Sequence, residues 1–378
     1  IDPNKFTEDG TIALTGSKPS NNSKYLAYST AHAGSDWDQI QVVNVETGEV
    51  QEDHLRWIKF SDIAWKNEGF YYSRYDQPAE GKELSQSNEY HKIYFHFQGD
   101  MQEKDILVYE DKAHAQRNFG ASVTDDERFL IIQGSESTSG NSLIVKDFEK
   151  DNDKFITVVD NFDNDYNVID NIGGMLLVQT NKNAPKNQLV LIDPAKPQPE
   201  NWKVIIPESK DLLQNVSIEG KNIFAIYQHD VSSQIVVYNT DGVKQKEIQL
   251  PGIGTVGAYN TAKGDSIAFY SFTTFTAPTS IYKYNINTNA SEVYFKPAID
   301  FKSDDYETKQ VFYPSKDGTK IPMYITCKKG TVLDGNNPTF LYAYGGFNIS
   351  ITPEFRIDRT VFLENGGVYA VANLRGGS

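Results

Sequence analysis

The chain has 378 residues, enough for one large domain or two. Hydrophobic residues make up 39% and charged residues 23%, which suits a packed core and excludes a disordered chain. The formal net charge of -15 argues against nucleic acid as a partner, because that partner needs clustered Lys and Arg to displace counterions.

The first residues, Ile1-Asp2-Pro3-Asn4, show neither a start Met nor a signal-peptide pattern and read as the interior of a longer protein. No apolar run approaches the length of a membrane span, so no membrane partner is expected. A soluble protein of cytoplasm or periplasm fits, and the compartment stays open.

Six short apolar strands follow in chain order, each after a turn-like cluster. They are Tyr25 to Tyr28, Phe70 to Tyr72, Phe129 to Ile132, Met175 to Val178, Ile223 to Ile226 and Ile267 to Tyr270. Their starts lie 45, 59, 46, 48 and 44 residues apart. A second strand follows each, beginning near Ile40, Ile93, Leu143, Leu189, Ile235 and Ile281. Most of these run into polar turns such as Val45-Glu46-Thr47-Gly48 and Tyr238-Asn239-Thr240-Asp241-Gly242. Further strands include Ile156 to Val159 and Trp202 to Ile206. A period of 40 to 50 residues built of strands and turns predicts the four-stranded blades of a β-propeller. A pair of β-sandwiches is the rival, but sandwiches carry no regular block length. Six blades are expected, and Ile1 is expected to open in the last strand of a preceding blade.

The pattern changes near residue 300. Ile299 to Tyr306 reads as a linker, and Thr308 to Tyr313, the turn Ser315 to Gly318 and Ile321 to Thr326 read as a hairpin. Thr339 to Tyr344 and Gly367 to Asn373 are nearly continuous apolar runs, as expected of strands buried on both faces. Asp358 to Asn365 between them is expected to be helical. Strand, helix, strand suggests the opening of an α/β domain. The single cysteine, Cys327, excludes an internal disulfide and fits a buried structural thiol.

Among candidate sites, Tyr344-Gly345-Gly346-Phe347-Asn348 follows a predicted buried strand, where ligands of α/β sheets bind. A Tyr hydroxyl there can donate to an oxyanion; a plain Gly-Gly turn between packed aromatics is the alternative. Ser378 has nothing after it to complete a G-x-S-x-G elbow and reads as a loop residue. The histidines at 32, 54, 91, 96, 114 and 229 sit in no triad context and read as exposed or satisfied. His91 and His96 fall on opposite faces of a strand, which argues against a shared metal. Asp163 to Asn167 fails as a calcium loop, with Val168 at the sixth position and Gly174 at the twelfth. No cofactor and no metal are expected.

Several segments together carry a family resemblance. Phe312 to Met323 resembles the entry of the prolyl oligopeptidase family into its hydrolase domain. Leu341 to Ser350 is similar to that family's strand and turn, and Val371 to Gly377 to its next buried strand. Asp2-Pro3-Asn4, Gly34 to Trp37 and Val42 to Gly48 resemble its propeller.

The resemblance implies a propeller over residues 1–303, with the first blade mostly missing, and the start of an α/β-hydrolase domain over residues 304–378. It implies a serine peptidase that cleaves short peptides after proline through an acyl-enzyme, the propeller restricting access. Tyr344 matches the family's oxyanion-hole tyrosine, and Phe347 an aromatic lining its proline pocket. The family's serine, aspartate and histidine match no position here, so the isolated chain is expected to be inactive and to need the C-terminal hydrolase segment as a partner. Family members are usually monomeric. The competing reading is a propeller that binds peptides without cutting them; a nucleophile elbow downstream of Ser378 separates the two.

Overall fold

The computed structural model describes residues 1–150, 154–258, 264–346 and 349–376. Strands come in fours, each group an antiparallel meander. The first holds β1 (Ile12–Pro19), β2 (Tyr25–His32), β3 (Asp38–Asn44) and β4 (Val50–Ile58). The second holds β5 (Ala64–Lys66), β6 (Gly69–Arg74), β7 (Lys92–Phe97) and β8 (Ile106–Glu110), and Ile58 pairs with Arg74 to join the two. The third holds β9 (Asn118–Val123), β10 (Phe129–Ser135), β11 (Ser142–Asp147) and β12 (Ile156–Val159). The fourth holds β13 (Tyr166–Ile172), β14 (Met175–Thr180), β15 (Gln188–Ile192) and β16 (Lys203–Ile206). The fifth holds β17 (Leu212–Glu219), β18 (Asn222–His229), β19 (Ser232–Asn239) and β20 (Lys244–Ile248). The sixth holds β21 (Thr255–Ala258), β22 (Ile267–Thr273), β23 (Ser280–Asn285) and β24 (Ser291–Phe295).

The strands expected from the repeat are the second and third of every group. These middle strands pair along both edges, and where both faces are buried the sequence is continuously apolar: Phe129 to Ile132, Leu176 to Val178 and Ile223 to Tyr227 are all buried, whereas β22 alternates. The outer strands β1 and β24 are largely exposed and carry mixed sequences. One expectation fails. Ile1 opens no strand; Asp2 caps a short 3-10 turn at Pro3–Lys5, where proline supplies the φ that such a turn needs.

A repeated turn marks the end of the third strand. Asn44, Asp147, Asp193, Asn239 and Asn285 each accept a main-chain N–H two residues on, from Glu46, Glu149, Ala195, Asp241 and Asn287. These side chains imitate a backbone turn and stop the strand. Residues 147, 193, 239 and 285 stand 46 apart, which makes this the most regular feature of the chain.

The packing divides into two compact units, Ile1–Lys182 with Val190–Lys203, and Asn183–Leu189 with Val204–Ser378. Inside the first, Ile40, Leu55, Trp65, Phe70 and Tyr72 pack the first group on the second. Phe129, Leu143, Val145, Tyr166, Leu176 and Val190 form a further core. Inside the second, Phe224, Ile235 and Val237 meet Ala268, Tyr270, Phe272 and Tyr284.

The first unit also buries two histidines in opposite states. His91 Nε2 donates to the Lys59 carbonyl at 2.9 Å while Nδ1 accepts the Phe119 N–H at 2.9 Å, so the ring is neutral; burial holds its pKa down at about 4. His96 Nδ1 lies 2.6 Å from Asp105 and Nε2 2.9 Å from Asp53. Carboxylates only accept, so both nitrogens carry protons and the ring is a cation. Burial alone disfavours that charge, but the bonds to Asp105 and Asp53 outweigh it and raise the pKa to about 9. Both rings are satisfied, as expected, and neither is exposed.

Two predictions follow from the sign of these shifts. Between pH 6.5 and about 9 the folded state holds a proton on His96 that the unfolded chain releases, so this contribution is complete below 6.5 and disappears as pH rises through 9. Between 6.5 and about 4 the unfolded chain protonates His91 and the folded chain does not, so stability also falls on acidification. Urea titrations across this range should show the alkaline loss in the native protein and not in His96→Gln. That substitution leaves Asp53 and Asp105 buried without their cation and should cost about 3–5 kcal/mol at neutral pH.

After residue 305 the pattern changes to one mixed sheet. β25 (Tyr306–Pro314) and β26 (Lys320–Lys328) form the expected hairpin, and β27 (Thr339–Tyr344), α1 (Ile357–Glu364) and β28 (Val368–Asn373) form a β-α-β unit. The strand order is β25-β26-β28-β27, with β27 and β28 parallel. β28 is buried throughout, and Cys327 is a buried free thiol, both as expected. β27 is not buried. In this chain it lies at the outer position of the sheet order, with Phe340 56% and Leu341 62% exposed and Phe340 meeting Phe362 of α1 edge to face.

The turn between β18 and β19 anchors this sheet within its unit. Val231 is buried among Phe275, Tyr306, Tyr324, Tyr369 and Val371, and the Asp230 carbonyl accepts the Tyr324 hydroxyl at 3.1 Å and the Gln310 amide. Asp230 and Val231 both have positive φ, 45° and 65°, unfavourable for a β-branched residue and sustained here by that buried contact.

Candidate functional site

Parallel strands end side by side, and their carboxyl ends are where α/β sheets place ligands. Tyr344 ends β27 and Asn373 ends β28, and the two are partners in the ladder. Tyr344 is 38% exposed, so its ring is open to a ligand. It folds back over its own turn: a Cβ on Gly346 would lie 3.4 Å from the Tyr344 hydroxyl. Asn373 beside it is buried, and its Nδ2 donates to the Ile351 carbonyl at 2.8 Å. Phe347, the other expected site residue, lies outside the described residues, as do Gly377 and Ser378.

The two strand-end turns touch through their backbones. A Cβ on Gly345 would lie 3.0 Å from the Arg375 carbonyl, and one on Gly376 would lie 2.5 Å from the Gly345 carbonyl. Gly376 also has φ +91°, a region L side chains rarely enter. The glycines therefore do more than turn the chain: they allow two main chains to meet beside Tyr344.

Arg375 ties this corner to the β25–β26 hairpin. Its guanidinium donates to Asp317 Oδ2 at 2.5 Å and to Ser315 Oγ at 3.2 Å. The Thr319 N–H and Arg375 together hold the Asp317 carboxyl down at about 2. Sequence reading singles out both segments but gives Arg375, Asp317 and Asn373 no role. Nothing local announces a pair 58 residues apart.

A groove of about 490 Å³ runs along the α1 side of β27, lined by Phe340, Tyr342, Ile351, Arg359, Phe362 and Tyr369. Other candidates are used up internally. Asp165, in the rejected calcium-like segment, accepts the Gly140 N–H and the Asn181 amide. Among the described residues no group of three or more His, Cys, Asp or Glu side chains can hold a metal, and no helix is long and apolar enough to cross a membrane.

Four-stranded antiparallel groups followed by a mixed sheet with a strand-end site describe a β-propeller leading into an α/β domain. The comparisons place that class. Residues 1–297 match the model of the prolyl oligopeptidase N-terminal β-propeller domain, and the chain belongs to this family. A prolyl endopeptidase of Elizabethkingia meningoseptica is 42% identical over 378 residues, which cover all of this chain and 53% of that protein. Prolyl oligopeptidase A of Amanita bisporigera is 34% identical and is covered over 53% of its length. A structure from a study of two prolyl endopeptidases superposes with TM-score 0.89 at 32% identity, covering all of this chain and 56% of that one. Prolyl oligopeptidase B of Galerina marginata, bound to a 25mer macrocyclization substrate, also gives 0.89 at 31% identity, covering all of this chain and 55% of that one. The chain thus spans about half the length of the curated relatives it matches.

The corner predicts a measurable contrast between glycines. Gly366 has φ +82° with nothing within 4 Å of its absent Cβ, whereas Gly376 has φ +91° and the Gly345 carbonyl in the way. Gly366→Ala should cost about 1 kcal/mol from backbone conformation alone, and Gly376→Ala about 1–3 kcal/mol more. Chemical denaturation of both variants measures the difference.

Proposed function

We propose that this chain is the propeller, residues 1–303, and the opening of the hydrolase domain, residues 304–378, of a serine peptidase that cleaves short peptides on the carboxyl side of proline. The observation that carries the reading is the strand-end corner. Tyr344 stands exposed at the end of β27, in a chain whose full length aligns with prolyl endopeptidases at up to 42% identity. Relatives with 25mer and 35mer peptides bound support a peptide substrate.

In this reading a serine supplied by the rest of the hydrolase domain attacks the carbonyl after proline. The carbonyl oxygen becomes an anion in the tetrahedral intermediate. The Tyr344 hydroxyl donates to that anion, where charge develops in the transition state and not in the ground state. Phe347 offers an aromatic wall to the flat, apolar pyrrolidine ring. Water then releases the acyl group from the serine. The propeller restricts access to short peptides. The 378-residue chain alone binds but does not turn over substrate, because the triad is not in it.

Tyr344→Phe in the complete peptidase should lower kcat by about 10²–10³, with KM nearly unchanged, on a Z-Gly-Pro reporter peptide. An unchanged kcat would remove Tyr344 from the chemistry. Turnover by the purified 378-residue chain would overturn the division of labour.

A further inference from the structure

A two-residue hairpin turn with positive φ at both positions is normally built by Asn-Gly or Asp-Gly, because a side chain branched at Cβ rarely enters that backbone region. His229 and Ser232 are ladder partners, so Asp230 and Val231 are the two residues of such a turn, with φ 45° and 65°. Asp suits the first position. Val stands where glycine is expected, and among the described residues it is the one β-branched residue with positive φ. The hairpin between β17 and β18 shows the ordinary solution, with Gly220 at φ 62°.

Turn chemistry does not explain Val231, but its surroundings do, and a backbone outlier of this kind points to function. Gln310, Tyr324 and Val371 are successive ladder partners on β25, β26 and β28, a row across the α/β sheet. The turn sits on this row. The Asp230 carbonyl accepts the Gln310 amide and the Tyr324 hydroxyl. The Val231 side chain, 3% exposed, packs in one cluster with Tyr324, Tyr369 and Val371. The corresponding turn of the sixth group sends Phe275 into the same cluster, its ring centroid 5.4 Å from that of Tyr324, and does so without positive φ.

Glycine at position 231 would relax the turn and lose the seat. Valine does the reverse. Part of the stabilisation from its burial goes into holding an unfavourable backbone, so the seat is weaker than the buried area alone implies. Once the turn lifts off the row, that backbone is free to relax. The element therefore has two arrangements, seated and unseated, and one side chain weighs on their ratio. Seated, it holds the fifth and sixth groups on the sheet that carries the strand-end corner.

We infer that Val231 is a selectivity residue for peptide length: its seat on the Gln310, Tyr324 and Val371 row keeps these blades on the α/β sheet, and loosening the seat admits longer chains. This inference rests on the reading of the protein as a prolyl peptidase whose propeller restricts access. Val231 touches no reacting group in this account.

The test measures kcat/KM in the complete peptidase for the wild type, Val231→Gly and Tyr324→Phe, on the Z-Gly-Pro reporter and on a denatured, proline-containing protein chain. Val231→Gly empties the seat while making the turn easier to form, so its own blade still folds. Tyr324→Phe leaves the turn's sequence untouched and removes only the hydroxyl bond to the Asp230 carbonyl. Turnover of the long chain scales with the unseated fraction, so Val231→Gly should raise its kcat/KM roughly tenfold and Tyr324→Phe about threefold, with the reporter within about twofold. An unchanged long-to-short ratio in both folded variants overturns the proposal. An equal loss on both substrates overturns it as well, and either result leaves Val231 a structural residue. A wild type that does not cleave the reporter after proline overturns the underlying reading instead, so the failures are distinct. Should Val231→Gly not fold, Tyr324→Phe carries the same comparison alone.

Discussion

A four-stranded sheet with apolar residues on both faces cannot stand in water alone, and most of this chain is organised by that constraint. The two middle strands of each group pair along both edges, and β6, β10, β14 and β18 are buried along most of their length. Their sequences are therefore short apolar blocks instead of the alternating pattern of a half-exposed strand. Clusters such as Phe129, Tyr166 and Leu176, or Phe224, Ala268 and Tyr284, show neighbouring groups of one unit closing over each other. At the ends of several third strands, Asn and Asp side chains bond the main chain and stop the strand.

The same constraint explains what could be read in advance. Middle strands were legible because two-sided burial leaves an apolar signature. First strands were not, because β1, Ile12–Pro19, is mostly exposed and its residues obey no strong pattern. The opening turn at Pro3–Lys5 was missed because three residues carry too little signal. β27 misled in the opposite direction. Its apolar run promised a strand covered on both faces, and in this chain it stands exposed at the outer position of the sheet order. In the site, Tyr344 was visible through its glycines and its family likeness. Asn373 and Arg375 were not, since their partners, Ile351 and Asp317, lie 22 and 58 residues away.

The buried histidines mark a further limit of sequence reading. His91 and His96 lie five residues apart, on and beside one strand, and no local pattern separates them. Their states come from distant groups: a carbonyl and an N–H for the neutral ring, two carboxylates for the cation. Asp53 and Asp105 would each be costly to bury alone. With His96 between them, Asp53 Oδ1 also accepts the Gly99 N–H and Asp105 Oδ2 the Tyr72 hydroxyl, while Asp53 Oδ2 is buried without a partner. This cluster is structural, and its chemistry is spent inside the fold.

The strand-end corner shows the reverse economy of means: little is buried, and backbone carries the geometry. Two glycines let the main chains at Gly345 and Gly376 meet, Arg375 bridges to the hairpin turn at Asp317, and Asn373 holds the return at Ile351. Each contact links a segment needed for the sheet to a segment needed for the site. The corner is held by contacts within the β-α-β unit and its hairpin, all of them made by described residues of this chain.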